Sequence, residues 1–172
     1  MTHRLPIFLL VALALISTAC SRHNDVSYSD DVKNALVQAD MKDVSVSEDK
    51  DKNTITLGGT LHSEEAKARA ANVAKTAAPA RIIANEISVQ PLGMESEARD
   101  VASNLDDAIE KNYKAALISS DLDKQHIHFS AKNGVLTLNG SVRTSDESRR
   151  AHKLAEGIPN VQQVVNQIEV RR

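Results

Sequence analysis

The chain repeats itself. Displaced by 81 positions, residues 53–89 align without a gap on residues 134–170, so that Asn53 falls on Gly134. Thr56 and Leu57 fall on Thr137 and Leu138, Gly59 on Gly140, Arg69 and Ala70 on Arg150 and Ala151, and Ala74 on Ala155. Asn85, Ile87 and Val89 fall on Asn166, Ile168 and Val170. Agreement at apolar and glycine positions over that length marks a tandem repeat, and each copy is then a folding unit. About 150 residues remain once the N-terminal segment is set aside, enough for one ordinary domain or two small ones. The repeat decides for two.

One template reads both copies. Val44-Ser45-Val46 matches Ile127-His128-Phe129, the alternation of a half-buried strand. In the second copy Asn133-Gly134 is a tight hairpin turn, whereas residues 48–53 make a longer charged loop in the first. Ile55, Leu57, Gly59 and Leu61, matched by Leu136, Leu138, Gly140 and Val142, put one face of the next strand inward. A glycine in that row predicts either the close approach of a helix backbone or a bulge. Ser63 and Thr144 are N-caps of a second helix, the latter in a Thr144-Ser145-Asp146-Glu147 capping box. Gly157 and Pro159 end that helix in the second copy, Ala78-Pro79 in the first. Last strands follow at about 81–89 and 161–170, and first helices precede at about 30–39 and 97–119. The expected fold class is α+β: two tandem αββαβ domains, each a small three-stranded mixed sheet with two helices packed on one face. The expected boundaries are 30–90 and 99–172, with a linker at 91–98 around Pro91-Leu92-Gly93. The poorer turn and cap of the first copy predict that it is the less stable half.

Residues 1–4 are short and positive and residues 5–16 almost wholly apolar, a run too brief for a span of roughly 30 Å and typical of an export signal. Ser17-Thr18-Ala19-Cys20 resembles the lipobox of bacterial lipoproteins, with Ser17 where a large aliphatic residue is usual. The same small residues also fit an ordinary cleavage site. Cys20 is the one cysteine of the chain, and an unmodified thiol in an oxidising compartment would be a liability. The resemblance implies a signal peptide at 1–19, a lipidated Cys20 carrying palmitate or similar acyl chains, and a tether at 20–29 reaching about 30 Å. Ser21, rather than aspartate, beside the cysteine favours the outer membrane by the same resemblance.

The order helix, alternating strand, N-G turn, V-x-L-x-G-x-V, capped helix ending in Gly, then N-V-x-x-V-x-N-x-I-x-V resembles the BON domain, a module of bacterial osmotically inducible and nodulation proteins. Gly134-Val135-Leu136-Thr137-Leu138-Asn139-Gly140-Ser141-Val142 carries it, as does Asn160-Val161-Gln162-Gln163-Val164-Val165-Asn166-Gln167-Ile168-Glu169-Val170. A leader, a lipobox and a BON pair together resemble periplasmic lipoproteins that maintain the envelope. That resemblance implies association with anionic phospholipid surfaces and a part in envelope integrity or osmotic stress tolerance.

No catalytic constellation emerges, and no enzyme activity, cofactor, metal or small-molecule substrate is expected. The chain has no spare cysteine, phosphate loop or nucleophile elbow. Asp106-Asp107 and Glu64-Glu65 read as solvated or helix-dipole charges. His126 and His128 share a strand face but lack the further ligands a metal wants, and Asn85 and Asn166 read as structural. A formal net charge of −2 argues against nucleic acid as partner. Local cations read first as a solvated face, since Asp146 and Glu147 are interspersed, and otherwise as a fit to an anionic head-group surface: Arg143, Arg149, Arg150 and Lys153 on or before the second helix of the second copy, and Lys111 and Lys114 on its first. The rival reading is a periplasmic chaperone or scaffold that binds other envelope proteins through an apolar sheet face or edge.

Overall fold

The computed structural model describes residues 27–171, so Cys20, its lipobox and most of the tether lie outside the described residues. Repeat 1 comprises α1 (Ser29–Gln38), β1 (Val44–Asp49), β2 (Thr54–Leu61), α2 (Glu64–Ala77), β3 (Ile82–Asn85) and β4 (Ser88–Val89). Repeat 2 comprises α3 (Glu95–Ser119), β5 (His126–Lys132), β6 (Val135–Val142), α4 (Ser145–Glu156), β7 (Gln163–Asn166) and β8 (Glu169–Val170). In each, the central strand pairs antiparallel with the first and parallel with the last, so the sheets are mixed. The last strand of each template is broken in two. Its halves, β3 and β4 or β7 and β8, both run along the central strand.

Local chemistry sets the helix starts. The Ser63 hydroxyl accepts the Ala66 N–H, and Thr144 and Glu147 close a reciprocal capping box at α4. Gly157 ends α4 at an ordinary negative φ, and the left-handed residue is instead Asn160. The helices then lay one face on the sheet. Val32 and Leu36 of α1 meet Ile55 and Leu57 of β2 and Ala70 and Ala74 of α2; Tyr113 and Leu117 of α3 meet Leu136, Leu138, Ala151 and Ala155 at the same repeat positions. Where repeat 1 packs Val32 with Val46, repeat 2 has Tyr113 edge-on to Phe129, ring centroids 5.0 Å apart. The Tyr113 hydroxyl donates to the Ala151 carbonyl at 3.1 Å, so the larger ring is also satisfied.

The glycines in the inward row are needed because the neighbouring strand, not a helix, comes close. A Cβ on Gly59 would lie 2.3 Å from the Asp43 carbonyl oxygen, and one on Gly140 1.9 Å from that of His126; both glycines have φ +101. Of the two alternatives, the helix approach is corrected: the strand kinks against its own partner.

The two sheets meet at β3 and β7. Ala84, Val135 and Val165, on the faces turned away from the helices, form a small apolar cluster there. The Gln163 amide donates to the Ile83 carbonyl at 2.6 Å and accepts the Asn85 N–H at 3.1 Å, standing in for a strand along the β3 edge. Contacts across the seam are reciprocal, as in a two-fold pair. The repeat 1 turn sends Lys52 to Glu169 at 2.6 Å, and the repeat 2 turn sends the Asn133 amide to the Glu86 carbonyl at 2.8 Å and Lys132 to the Glu86 carboxylate at 3.1 Å.

Candidate functional site

The six cations that the sequence marks all belong to repeat 2, at its two helices. Those of α4 are largely committed. Arg149 pairs with Asp146, and Arg150 donates to the Ser120 carbonyl at 2.9 Å, capping the end of α3. Arg143 and Lys153 are exposed without an ion pair among the described residues, but Asp146 and Glu156 share the shallow depression, about 770 Å³, that Arg149, Arg150 and Lys153 line. Glu156 is 3.4 Å from His152. The charges of the α4 face are therefore partly offset.

Helix α3 presents something different. Lys111 and Lys114 are exposed, one turn apart, and form no ion pair among the described residues. Ile118, one turn beyond Lys114, is 54% exposed at the edge of a groove of about 480 Å³ whose other apolar walls include Leu117, Leu122, Ile127 and Phe129. Lys114 lines the same groove. Sequence reasoning found the lysines and missed Ile118 and the groove. The signal lay in the repeat, because Ile118 stands at the place of Val37, itself 50% exposed. Repeat 1 has lost the charge: Lys33 occupies the place of Lys114, but Asp30 replaces Lys111 and lies 3.8 Å from Lys33.

Several residues read as bland carry the architecture. Asp106, read as a solvated charge, is corrected: its carboxylate accepts the N–H groups of Asn133 at 2.7 Å and Gly134 at 3.0 Å, holding the hairpin turn against α3. Lys67 of α2, buried, donates to the Asn133 carbonyl at 3.0 Å, and burial pulls its amine below the ordinary lysine value against the pull of Glu64 and Asp106. Asn85 and Asn166 are structural, their amides tying the last strand to Lys67 and Ser148 at equal repeat positions. His126 and His128 are exposed on β5, and among the described residues no group of three or more His, Cys, Asp and Glu could hold a metal.

A family model of the BON domain matches residues 24–91 and again 105–172. The chain belongs to the BON-domain family. Its two copies coincide with the αββαβ units described above, and the candidate groove lies on the first helix of the second BON domain. The chain is similar to Osmotically-inducible protein Y of Escherichia coli (strain K12), 27% identical over 150 residues, covering 86% of this chain and 73% of that one. Two solved structures of CdsD, a structural protein of the type III secretion system of Chlamydia trachomatis, also match. The C-terminal domain is 14% identical with a TM-score of 0.36 over 87% of this chain and all of that one; the other is 11% identical with a TM-score of 0.37 over 83% and 91%. No helix among the described residues is long and apolar enough to cross a membrane.

Proposed function

We propose that this BON-domain protein is an exported, non-enzymatic lipoprotein, anchored through Cys20 to the periplasmic side of the outer membrane, whose second repeat rests on anionic phospholipid. The observation that carries the reading is the α3 face: two exposed lysines on the turns before a half-exposed isoleucine at the edge of a largely apolar groove. Each cation near an anionic leaflet contributes about 1 kcal/mol, and immersing an aliphatic side chain about 1.5–3 kcal/mol. Such a contact is weak alone and becomes effective when a short tether keeps the domain at the bilayer. The α3 face is favoured over α4 because its lysines stand beside the exposed apolar Ile118, although Asp123 also lines that groove, whereas on α4 Arg149 is paired with Asp146 and Arg150 is held by the Ser120 carbonyl. The name of the similar osmotically inducible protein supports a part in the response to osmotic stress, which we place at the envelope.

Flotation of the mature chain, with Cys20→Ser to remove the anchor, tests this on vesicles with and without phosphatidylglycerol. Binding is expected only with the anionic lipid, and salt should abolish it as the Debye length falls from about 10 Å at 0.1 M to about 3 Å at 1 M. Lys111→Glu with Lys114→Glu should remove it and Ile118→Ser weaken it, whereas Arg149→Glu, Arg150→Glu and Lys153→Glu together should matter less. Binding that ignores charge, or that survives the α3 changes, refutes the reading. For the anchor, intact mass of the native protein should show an acylated Cys20.

A further inference from the structure

The first half of α3 runs on beyond the repeat 2 core, whose buried residues on this helix begin at Ile109. Upstream, Ala98, Val101 and Leu105 follow the spacing of a packed helical stripe, yet Val101 is 57% and Leu105 40% exposed. They form one wall of a groove of about 380 Å³ between α3 and α2 of repeat 1. Its floor is the seam itself, at Lys67 and the Asn133-Gly134 turn, and the linker that borders it at Pro91 also carries Leu92 and Met94, 77% and 58% exposed. Half of the large apolar side chains exposed among the described residues are these four, and such concentrations on a soluble surface mark interaction sites.

The charge around the groove is net negative. Glu64 lines the α2 wall, and Glu97, exposed, stands one turn before Val101. Lys67 is the one cation lining the groove; its ammonium, held on the Asn133 carbonyl and, at 3.4 Å, the Gln162 amide, is also attracted by Glu64 and Asp106, so the two acids outweigh it by one charge. An anionic bilayer is disfavoured by this net charge, and a two-fold pair built on the groove would bring two net-negative patches together. We propose that this groove is a docking site for a segment of another protein: a short amphipathic helix whose aliphatic residues, one turn apart, extend the seam and whose flanking Lys or Arg side chains meet Glu64 and Glu97. The surface is separate from the lipid-facing groove and does not depend on it.

The probe is a fluorescein-labelled amphipathic peptide with a leucine stripe at i, i+3, i+4 and i+7 flanked by lysines, titrated by anisotropy with the mature chain carrying Cys20→Ser. Saturable binding is expected, and Val101→Ser with Leu105→Ser should weaken it about tenfold or more, with the circular dichroism unchanged because both side chains are exposed. Glu64→Gln with Glu97→Gln should weaken binding about threefold or more and flatten its salt dependence. A glutamate-flanked peptide should not bind, and Lys111→Glu with Lys114→Glu should change nothing. Equal binding of the glutamate-flanked peptide, or of the serine variant, overturns the proposal. So does a dimer in sedimentation velocity that Val101→Ser with Leu105→Ser dissolves, because a second copy is then the occupant; so does loss of vesicle flotation by the same pair, because the membrane is.

Discussion

Glu48 joins three parts of repeat 1 in one carboxylate. It accepts the Ser27 hydroxyl at 2.7 Å and the Tyr28 N–H at 3.2 Å at the start of α1, and pairs with Arg81 at 3.0 Å, each side chain of the pair being no more than 5% exposed. The Arg81 guanidinium also lies over the Tyr28 ring, 5.1 Å from its centroid, and donates to the Asn53 side chain at 2.6 Å. Burial by itself would raise the Glu48 pKa; the Ser27 and Tyr28 hydrogen bonds and Arg81 outweigh it and bring the group below its ordinary value of 4.5. A depressed carboxyl pKa stabilises the fold above the unfolded value and loses that contribution as pH falls through the folded one. Glu48→Gln should therefore cost about 2 kcal/mol at pH 7, because the charged hydrogen bonds of the carboxylate are lost while Arg81 keeps Asn53 and Tyr28, and should flatten the acid limb of the stability curve below pH 4.5. Urea titrations of both proteins between pH 3 and about 7 check it, and parallel acid limbs would contradict it. Tyr113→Phe is the corresponding test in repeat 2. Losing the bond to the Ala151 carbonyl should cost about 1 kcal/mol, read as a shift in urea midpoint at constant slope.

Among the elements, β2 and β6 are the most constrained, because both of their edges are paired and the strand before each crowds its kink. Alanine at Gly140 would need a left-handed φ and a Cβ 1.9 Å from the His126 carbonyl oxygen, so backbone must move. Gly140→Ala is expected to cost about 3 kcal/mol or more. Gly93→Ala, at φ +81 with nothing within 4 Å of the new carbon, should cost about 1 kcal/mol, the conformational term alone. Thermal melts of the two variants separate clash from conformation, and equal midpoints would show that the kink is not needed. The strand alternation and the repeated glycine were legible in the residues; the approaching partner was not. Period-two patterning says which face a strand buries and nothing about how near its neighbour's carbonyl lies.

At the scale of the molecule the seam makes one body of two small domains. Lys67 of α2, Asp106 of α3 and Glu86 from the break between β3 and β4 converge on the Asn133-Gly134 turn, so that turn is held from both repeats. The Lys52–Glu169 pair closes the other end, with the Glu169 pKa lowered to about 2 by Lys52 and then Arg171, so it stays ionised through mildly acid conditions. The full chain should melt in a single transition above that of either repeat made alone, since small domains are marginal and each loses its half of the seam. Lys67→Met should lower the full-chain midpoint and leave that of isolated repeat 1 little changed, because both hydrogen-bond partners of its amine belong to repeat 2. Two calorimetric transitions at the midpoints of the isolated repeats would contradict the single-body account.

The sequence alone determined the repeat, the element order, the capping of α2 and α4 and the inward rows, because each depends on neighbours a few positions away. It also marked Lys111 and Lys114 as cations worth testing. Only the tertiary structure decided what those cations stand beside, and how others are engaged: Asp146 pairs with Arg149 within one helix, but the Ser120 carbonyl holds Arg150 from the end of another. It alone turned Asp106 from a surface charge into a turn clamp, and Lys67 from a helix lysine into part of the seam. The reason is physical. Secondary structure is set by local spacing and backbone sterics, whereas a surface is an arrangement of side chains from segments up to a hundred or so residues apart, and its charge and shape exist only once the sheets have met.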